Sequence, residues 1–154
     1  MTHPILNFAT KLNSKIALNP KFVAEKGERY FLLNKELKSV VREDFFYAGL
    51  YLGKTKKGKF FPSFNLLAML AETKANTVVV TEKAAWLFIC GRDIFGEGIR
   101  AVHGSRRKGD FTVILNVYGD CLGFGRIVTD LSSTHIDVAV KNVSDVGDFL
   151  RRER

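Results

Sequence analysis

The chain has 154 residues, 46% of them apolar and 26% charged, a balance that suits one large domain or two small ones. It excludes wholesale disorder, collagen-like repeats and a coiled-coil rod, and no apolar run reaches the roughly 18 residues of a membrane-spanning helix. The formal net charge is +8, an excess of cations that points to a polyanionic partner.

The opening residues, MTHPILNFATKLNSK, lack a basic segment followed by an apolar stretch, so no signal peptide and an intracellular location are expected. Thr2 can cap a helix with Pro4 in its first turn. Ile5, Phe8, Ala9, Leu12 and Ile16 follow at spacings of three and four, which predicts a helix reaching Asn19-Pro20, with Lys11 and Lys15 towards water. Residues 30–33 and 45–52 read as strands joined by a Lys-rich helical link over 34–42. Gly53 and Gly58 bracket a hairpin tip or loop, and Pro62-Ser63 starts a second helix to about Lys74. That helix is apolar nearly all round, which predicts burial between two layers.

From Asn76 the pattern changes to short runs with Gly-rich breaks. Residues 77–80, 86–90, 99–102, 111–117, 122–129 and 136–140 each have strand length, spaced as in a small barrel or sandwich. Ser144 caps a final short helix. The chain therefore divides into residues 1–74 and 75–154. The first part holds 13 basic and 6 acidic residues, mostly Lys among the cations; the second holds 11 and 10, mostly Arg. Lys is a solvated point charge, whereas Arg offers a fork suited to phosphate.

No catalytic or metal template fits. Cys90 and Cys121 have no CxxC spacing, and His3, His103 and His135 are scattered, so both cysteines read as buried, reduced thiols. There is no nucleophile elbow, phosphate loop or dinucleotide fingerprint. The chain reads as a non-enzyme without cofactor or metal.

The segments WLFICGRDIF (86–95), RRKGDFTVI (106–114) and CLGFGR (121–126), in this order, resemble the PUA domain, an RNA-binding β pseudo-barrel. Gly91 and Gly109 suit turns with positive φ, and Gly123 and Gly125 clear one sheet face for a second backbone. Together with GKTKKGKFFPSFNLLAMLA (53–71) and DVGDFLRRE (145–153), the chain is similar to the archaeal and eukaryal large-subunit ribosome biogenesis factors that carry a pre-PUA domain, the nuclear-import-protein-like family. The resemblance implies an α+β fold, with a small mixed α/β N-terminal domain packed on a C-terminal PUA-type pseudo-barrel. It also implies pre-rRNA binding by the C-terminal half, and pre-ribosomal protein or processing-complex contacts by the N-terminal half. The expected setting is the archaeal cytoplasm, or the nucleolus in a eukaryote. Two other readings are an RNA-targeting accessory module of a modifying enzyme and a protein-interaction scaffold.

Five cations are candidates for RNA contact. Arg151 and Arg152 would project from the last helix, away from Phe149 and Leu150, with favourable interaction at a helix C-terminus as the structural alternative. Arg92 follows Gly91 at a strand end, Lys83 lies on the preceding helical turn, and Arg126 closes the Gly-x-Gly strand. Further possible RNA or partner contacts are Lys54, Lys56, Lys57 and Lys59 beside Phe60 and Phe61, and the run Arg106, Arg107 and Lys108. Cations interleaved with aromatics suit single-stranded RNA, although two consecutive Phe after a hairpin are ordinarily core.

Overall fold

Pro4 has no backbone donor to lose, and helix α1 (Pro4–Lys11) begins on it. In the computed structural model, which describes residues 3–42, 44–148 and 151, the cap is His3, whose Nδ1 accepts from the Ile5 amide. The Thr2 cap expected from sequence lies outside the described residues. The helix also ends sooner than its apolar stripe predicts. Asn13 turns into the left-handed region at φ 54°, and the Ser14 amide reaches back to the Ala9 carbonyl at 2.9 Å. That is a Schellman stop, in which Asn takes the place usually held by Gly. Ile16 still packs on the same core, but from extended chain.

Four antiparallel strands follow as a meander, β1 (Val23–Lys26), β2 (Arg29–Leu32), β3 (Leu50–Lys56) and β4 (Lys59–Pro62). Helix α2 (Lys35–Val40) covers one side, capped by Asn34. Residues 45–49 are not strand, as the sequence pattern predicts, but a connection into β3. Gly53 lies within β3, and the hairpin turns at Lys57-Gly58. Ser63 then caps helix α3 (Phe64–Ala71), accepting from the Leu66 amide at 3.0 Å.

Leu66, Leu67 and Leu70 of α3 are wholly buried, each contributing about 1.5–3 kcal/mol of apolar burial. They share one core with Ile5, Phe8, Leu12, Tyr30 and Leu52 from the first half and Val113 and Phe124 from the second. The expected burial of this helix between two layers is met, and no solvent gap separates the halves there.

The second half is a curled six-stranded sheet. Its members are β5 (Thr77–Val80), β6 (Ile94–Phe95), β7 (Ile99–His103), β8 (Phe111–Leu115), β9 (Cys121–Ile127) and β10 (Val138–Asp145). The order is β6-β10-β9-β8-β5-β7, parallel only between β5 and β8. A second core inside the curl joins Val78, Val80, Ile114, Leu122, Ile127 and Val140 to Phe88. Thus β8 and β9 are buried on both faces, against α3 on one side and the barrel interior on the other. Leu122 is an extra residue opposite the Ile114–Leu115 step, a bulge that turns Leu122 inward while Phe124 faces α1 and α3.

One predicted strand is a helix. Residues 86–90 belong to helix α4 (Glu82–Ile89) and its cap, because Thr81 accepts from the Ala84 amide at 3.1 Å and Ala84 and Phe88 form a buried i, i+4 pair. A five-residue apolar run has no period of its own, so the cap decided. Gly91, at φ 91°, therefore ends a helix and not a strand. Ser144 is likewise no cap: β10 runs through it, and helical backbone starts only at Asp148.

Candidate RNA interface

Helix α1 and the β3–β4 hairpin from the first half, and strands β8, β9 and β10 from the second, border a cleft of about 630 Å³. Helix α1 supplies Lys11, the β3–β4 hairpin Lys59, strand β9 Arg126 and strand β10 Lys141. All four side chains belong to exposed residues, and none has a carboxylate within 4 Å among the described residues. The floor is a set of interlocked phenylalanines. Phe8 meets Phe60 and Phe124 edge to face at 5.7 and 5.2 Å, and Phe124 meets Phe111 in the same manner at 5.6 Å. The guanidinium of Arg126 lies 5.0 Å and the Lys11 ammonium 5.9 Å from the centre of Phe111, contacts that favour both cations.

Two smaller hollows extend the cleft. One lies between Lys11, Arg126 and Gly109-Asp110; the other runs past Lys59 and Phe60 to Lys54 and Asp148. Asp110 is already engaged, accepting from the Ser105 hydroxyl and standing 3.7 Å from Arg107.

Of the cations singled out in the sequence, Arg126, Lys59 and Lys54 come together along this groove. Lys56 and Lys57 sit at the hairpin turn beside it. Arg106, Arg107 and Lys108 form an exposed loop between β7 and β8. Lys83 is on α4 and borders a separate hollow of about 230 Å³ with Asp93, Phe95 and Glu97. Arg92 is exposed just beyond α4, and no carboxylate pairs with it among the described residues; Asp93 instead accepts from the Asn142 amide at 2.9 Å. Lys11 and Lys141 were not legible as site residues. Lys11 reads only as a cation off an apolar stripe, and nothing in the local sequence marks Lys141.

Arg151 is not the free surface charge that its helical phase predicts, although its side chain keeps partial exposure. Its guanidinium folds back on Asp145, which is only 2% exposed, making contacts of 3.0 and 2.8 Å, and it also donates to the Ile89 carbonyl. Donating to Asp145 raises the pKa of the guanidinium above its ordinary value. Asn142 completes the carboxylate's shell at 3.0 Å. Gly147 is packed so closely on the Ile89 carbonyl that a Cβ would overlap it. Arg151 thus caps the C-terminus of α4, a structural duty that also explains the DVGD segment. Arg152, with Phe149 and Leu150, lies outside the described residues.

The thiols differ from expectation. Both are free, but Cys90 is exposed at the end of α4. Cys121 is half-buried, and desolvation pushes its thiol up to about 11.

Comparison with known proteins agrees with this architecture. Residues 76–154 match the family model described as the UPF0113 PUA domain, and residues 7–70 match the RsmF rRNA methyltransferase first C-terminal domain. A UPF0113 protein of Archaeoglobus fulgidus is 32% identical over 112 residues, covering 70% of this chain. The matched stretch spans 63% of that relative's length. Two solved structures share the fold. A conserved PUA domain protein from Thermoplasma acidophilum has a TM-score of 0.56 at 23% identity, covering 83% of this chain and 77% of its own. A PUA domain from Aeropyrum pernix K1, solved with tartrate, has a TM-score of 0.61 at 18% identity, covering 94% and 83%. With its glycine-cleared β9, its curled sheet and more than half its length on the family model, the chain belongs to the UPF0113 family of PUA-domain proteins.

Proposed function

We propose that this chain is a non-catalytic RNA-binding protein acting in assembly of the large ribosomal subunit, in the cytoplasm of an archaeon or the nucleolus of a eukaryote. Its N-terminal unit is residues 1–74 and its PUA unit residues 75–154. PUA domains are RNA-binding modules, and the observation that carries the reading is the cleft. Four exposed cations without carboxylate partners among the described residues converge there from both halves, a charge arrangement that a polyanion relieves. The ribosomal assignment draws on the resemblance of residues 53–71, 121–126 and 145–153 to the pre-PUA biogenesis factors.

A second reading has a specific observation in its favour. The match of residues 7–70 to a domain of an rRNA methyltransferase suits an accessory module that delivers RNA to a modifying enzyme. Crosslinking the protein in cells and sequencing the bound RNA tests the first reading. Large-subunit precursor rRNA is the expected catch. Enrichment confined to the substrates of one modifying enzyme would favour the accessory module, and an absence of RNA would leave a protein scaffold. The purified chain is expected to turn over neither nucleotides nor RNA.

A further inference from the structure

We propose that the junction cleft is a phosphate site for single-stranded RNA, complete only with both halves present, in which Lys11 and Arg126 share one phosphodiester. The proposal rests on the RNA-binding reading above and specifies what the cleft recognises.

Lys11 comes from α1 and Arg126 from β9, yet both lie on the ring of Phe111, at 5.9 and 5.0 Å. Both cations line one hollow and so raise its positive potential, and the carboxylate that lines it among the described residues, Asp110, is held by Ser105 and Arg107. An anion in that hollow relieves the excess of positive charge. Ring packing holds both side chains near the site, which lowers the ordering cost of binding. A phosphate here bridges the two halves directly.

The cleft suits the backbone better than the bases. Many single-strand sites offer open ring faces on which bases stack. Here Phe8 and Phe124 are buried, and they engage Phe60 and Phe111 edge to face, so the rings are occupied with one another. A row of cations lines the open part, from Lys11 and Arg126 through Lys141 and Lys59 to Lys54, with the exposed apolar groups of Val143 and Phe61 beside it. A cleft of about 630 Å³ is on the scale of a small-molecule pocket. The N-terminal half is thereby part of the RNA site as well as a surface for other partners.

The test is a double-substitution cycle on the full chain, with a 12-nucleotide oligouridylate titrated at three KCl concentrations. Lys11→Ala and Arg126→Ala are each expected to weaken binding about tenfold, the scale of one charge-assisted contact. Because they share a phosphate, the double variant should lose about ten- to thirtyfold, well short of the hundredfold product. Its log K against log salt slope should be shallower by about 0.7, one phosphate on a single strand. Lys11→Arg should retain binding, and Lys35→Ala on α2 should behave as the parent chain. Unchanged melting temperatures exclude misfolding as the cause. A full hundredfold loss would mean separate phosphates and overturn the shared site. Undiminished binding in the double variant would remove the cleft from the RNA path while leaving RNA binding itself intact. Displacement of the RNA by inorganic phosphate beyond the effect of KCl at equal ionic strength would make this a small-anion site instead. Failure of the parent chain to bind the oligonucleotide would sink the proposed function along with this site.

Discussion

Asn13, at the Schellman stop of α1, donates from its side-chain amide to the Oδ1 of Asn76 at 3.1 Å, a pair 63 positions apart. Asn76 is 1% exposed, and its other groups are equally engaged. Its Oδ1 also accepts from the Ser105 amide at 2.9 Å, and its Nδ2 donates to the Phe111 carbonyl at 3.0 Å. Its backbone amide donates to Leu12 at 2.8 Å, and its carbonyl accepts from Val113 at 2.9 Å. One side chain thus ties the end of α1 to β8 and to the loop that carries Arg106, Arg107 and Lys108. A polar group so deeply buried is tolerated because each of its polar atoms has a partner.

Asn76→Ala should therefore destabilise the chain by about 2–4 kcal/mol, since the Ser105 amide and the Phe111 carbonyl are left without partners. Asn13→Ala, which removes a single partly exposed hydrogen bond, should cost about 1 kcal/mol. Urea unfolding measures both, as a lower midpoint with an unchanged slope. Equal effects would contradict the role of Asn76 as the hub.

Gly123 and Gly119 both have positive φ, 144° and 86°, but only Gly123 has no room for a Cβ. The backbone of Ser144 and Asp145 in β10 occupies that space, whereas nothing lies within 4 Å at Gly119. Gly119→Ala should cost the strain of a left-handed residue, about 1–2 kcal/mol. Gly123→Ala should cost clearly more, because β10 must move away from β9. Thermal melts of the two variants, compared with the parent, give the ordering.

Arg151→Ala should lower the melting temperature, since it strips the buried Asp145 of its forked partner and the Ile89 carbonyl of its cap. Arg151→Lys should recover little, because an ammonium cannot reproduce the two parallel contacts. RNA affinity at fixed ionic strength should stay near the parent value when measured well below the melting point. A stable Arg151→Ala variant with weakened RNA binding would reverse this assignment.

The two thiols should separate by reactivity. Exposed Cys90 should react with a thiol reagent in the native protein at pH 8, while Cys121, pushed up to about 11 by burial, should react only on unfolding. Both should titrate as free thiols without reductant. The raised value also sets a sign. Cys121 favours the folded state below its ordinary value of 9.0, and that contribution is lost as pH rises from there through about 11. Cys121→Ser should flatten the decline in stability over that window.

Local chemistry in the sequence was enough for the elements whose ends carry their own signals. Pro4, Asn34 and Ser63 start helices through side-chain or ring geometry that needs no distant partner, and the glycines of β9 announce a close backbone approach before the partner strand is known. The all-round apolarity of α3 already required a layer on each side. The apolar segment 86–90 was beyond such reading, because strand and helix bury a short run equally well until a cap chooses. The length of α1 was settled by Asn13, whose left-handed turn is stabilised by a partner 63 residues away. The binding cleft is the clearest case of tertiary decision. Arg126, Lys59 and Lys54 could be named as cations worth attention, but Lys11 and Lys141 acquire meaning only when α1 and β10 are folded against β9. Arg151 shows the converse. Its sequence places it among the free charges, and only the burial of Asp145 turns it inward, because a buried carboxylate needs a cation more than solvent does.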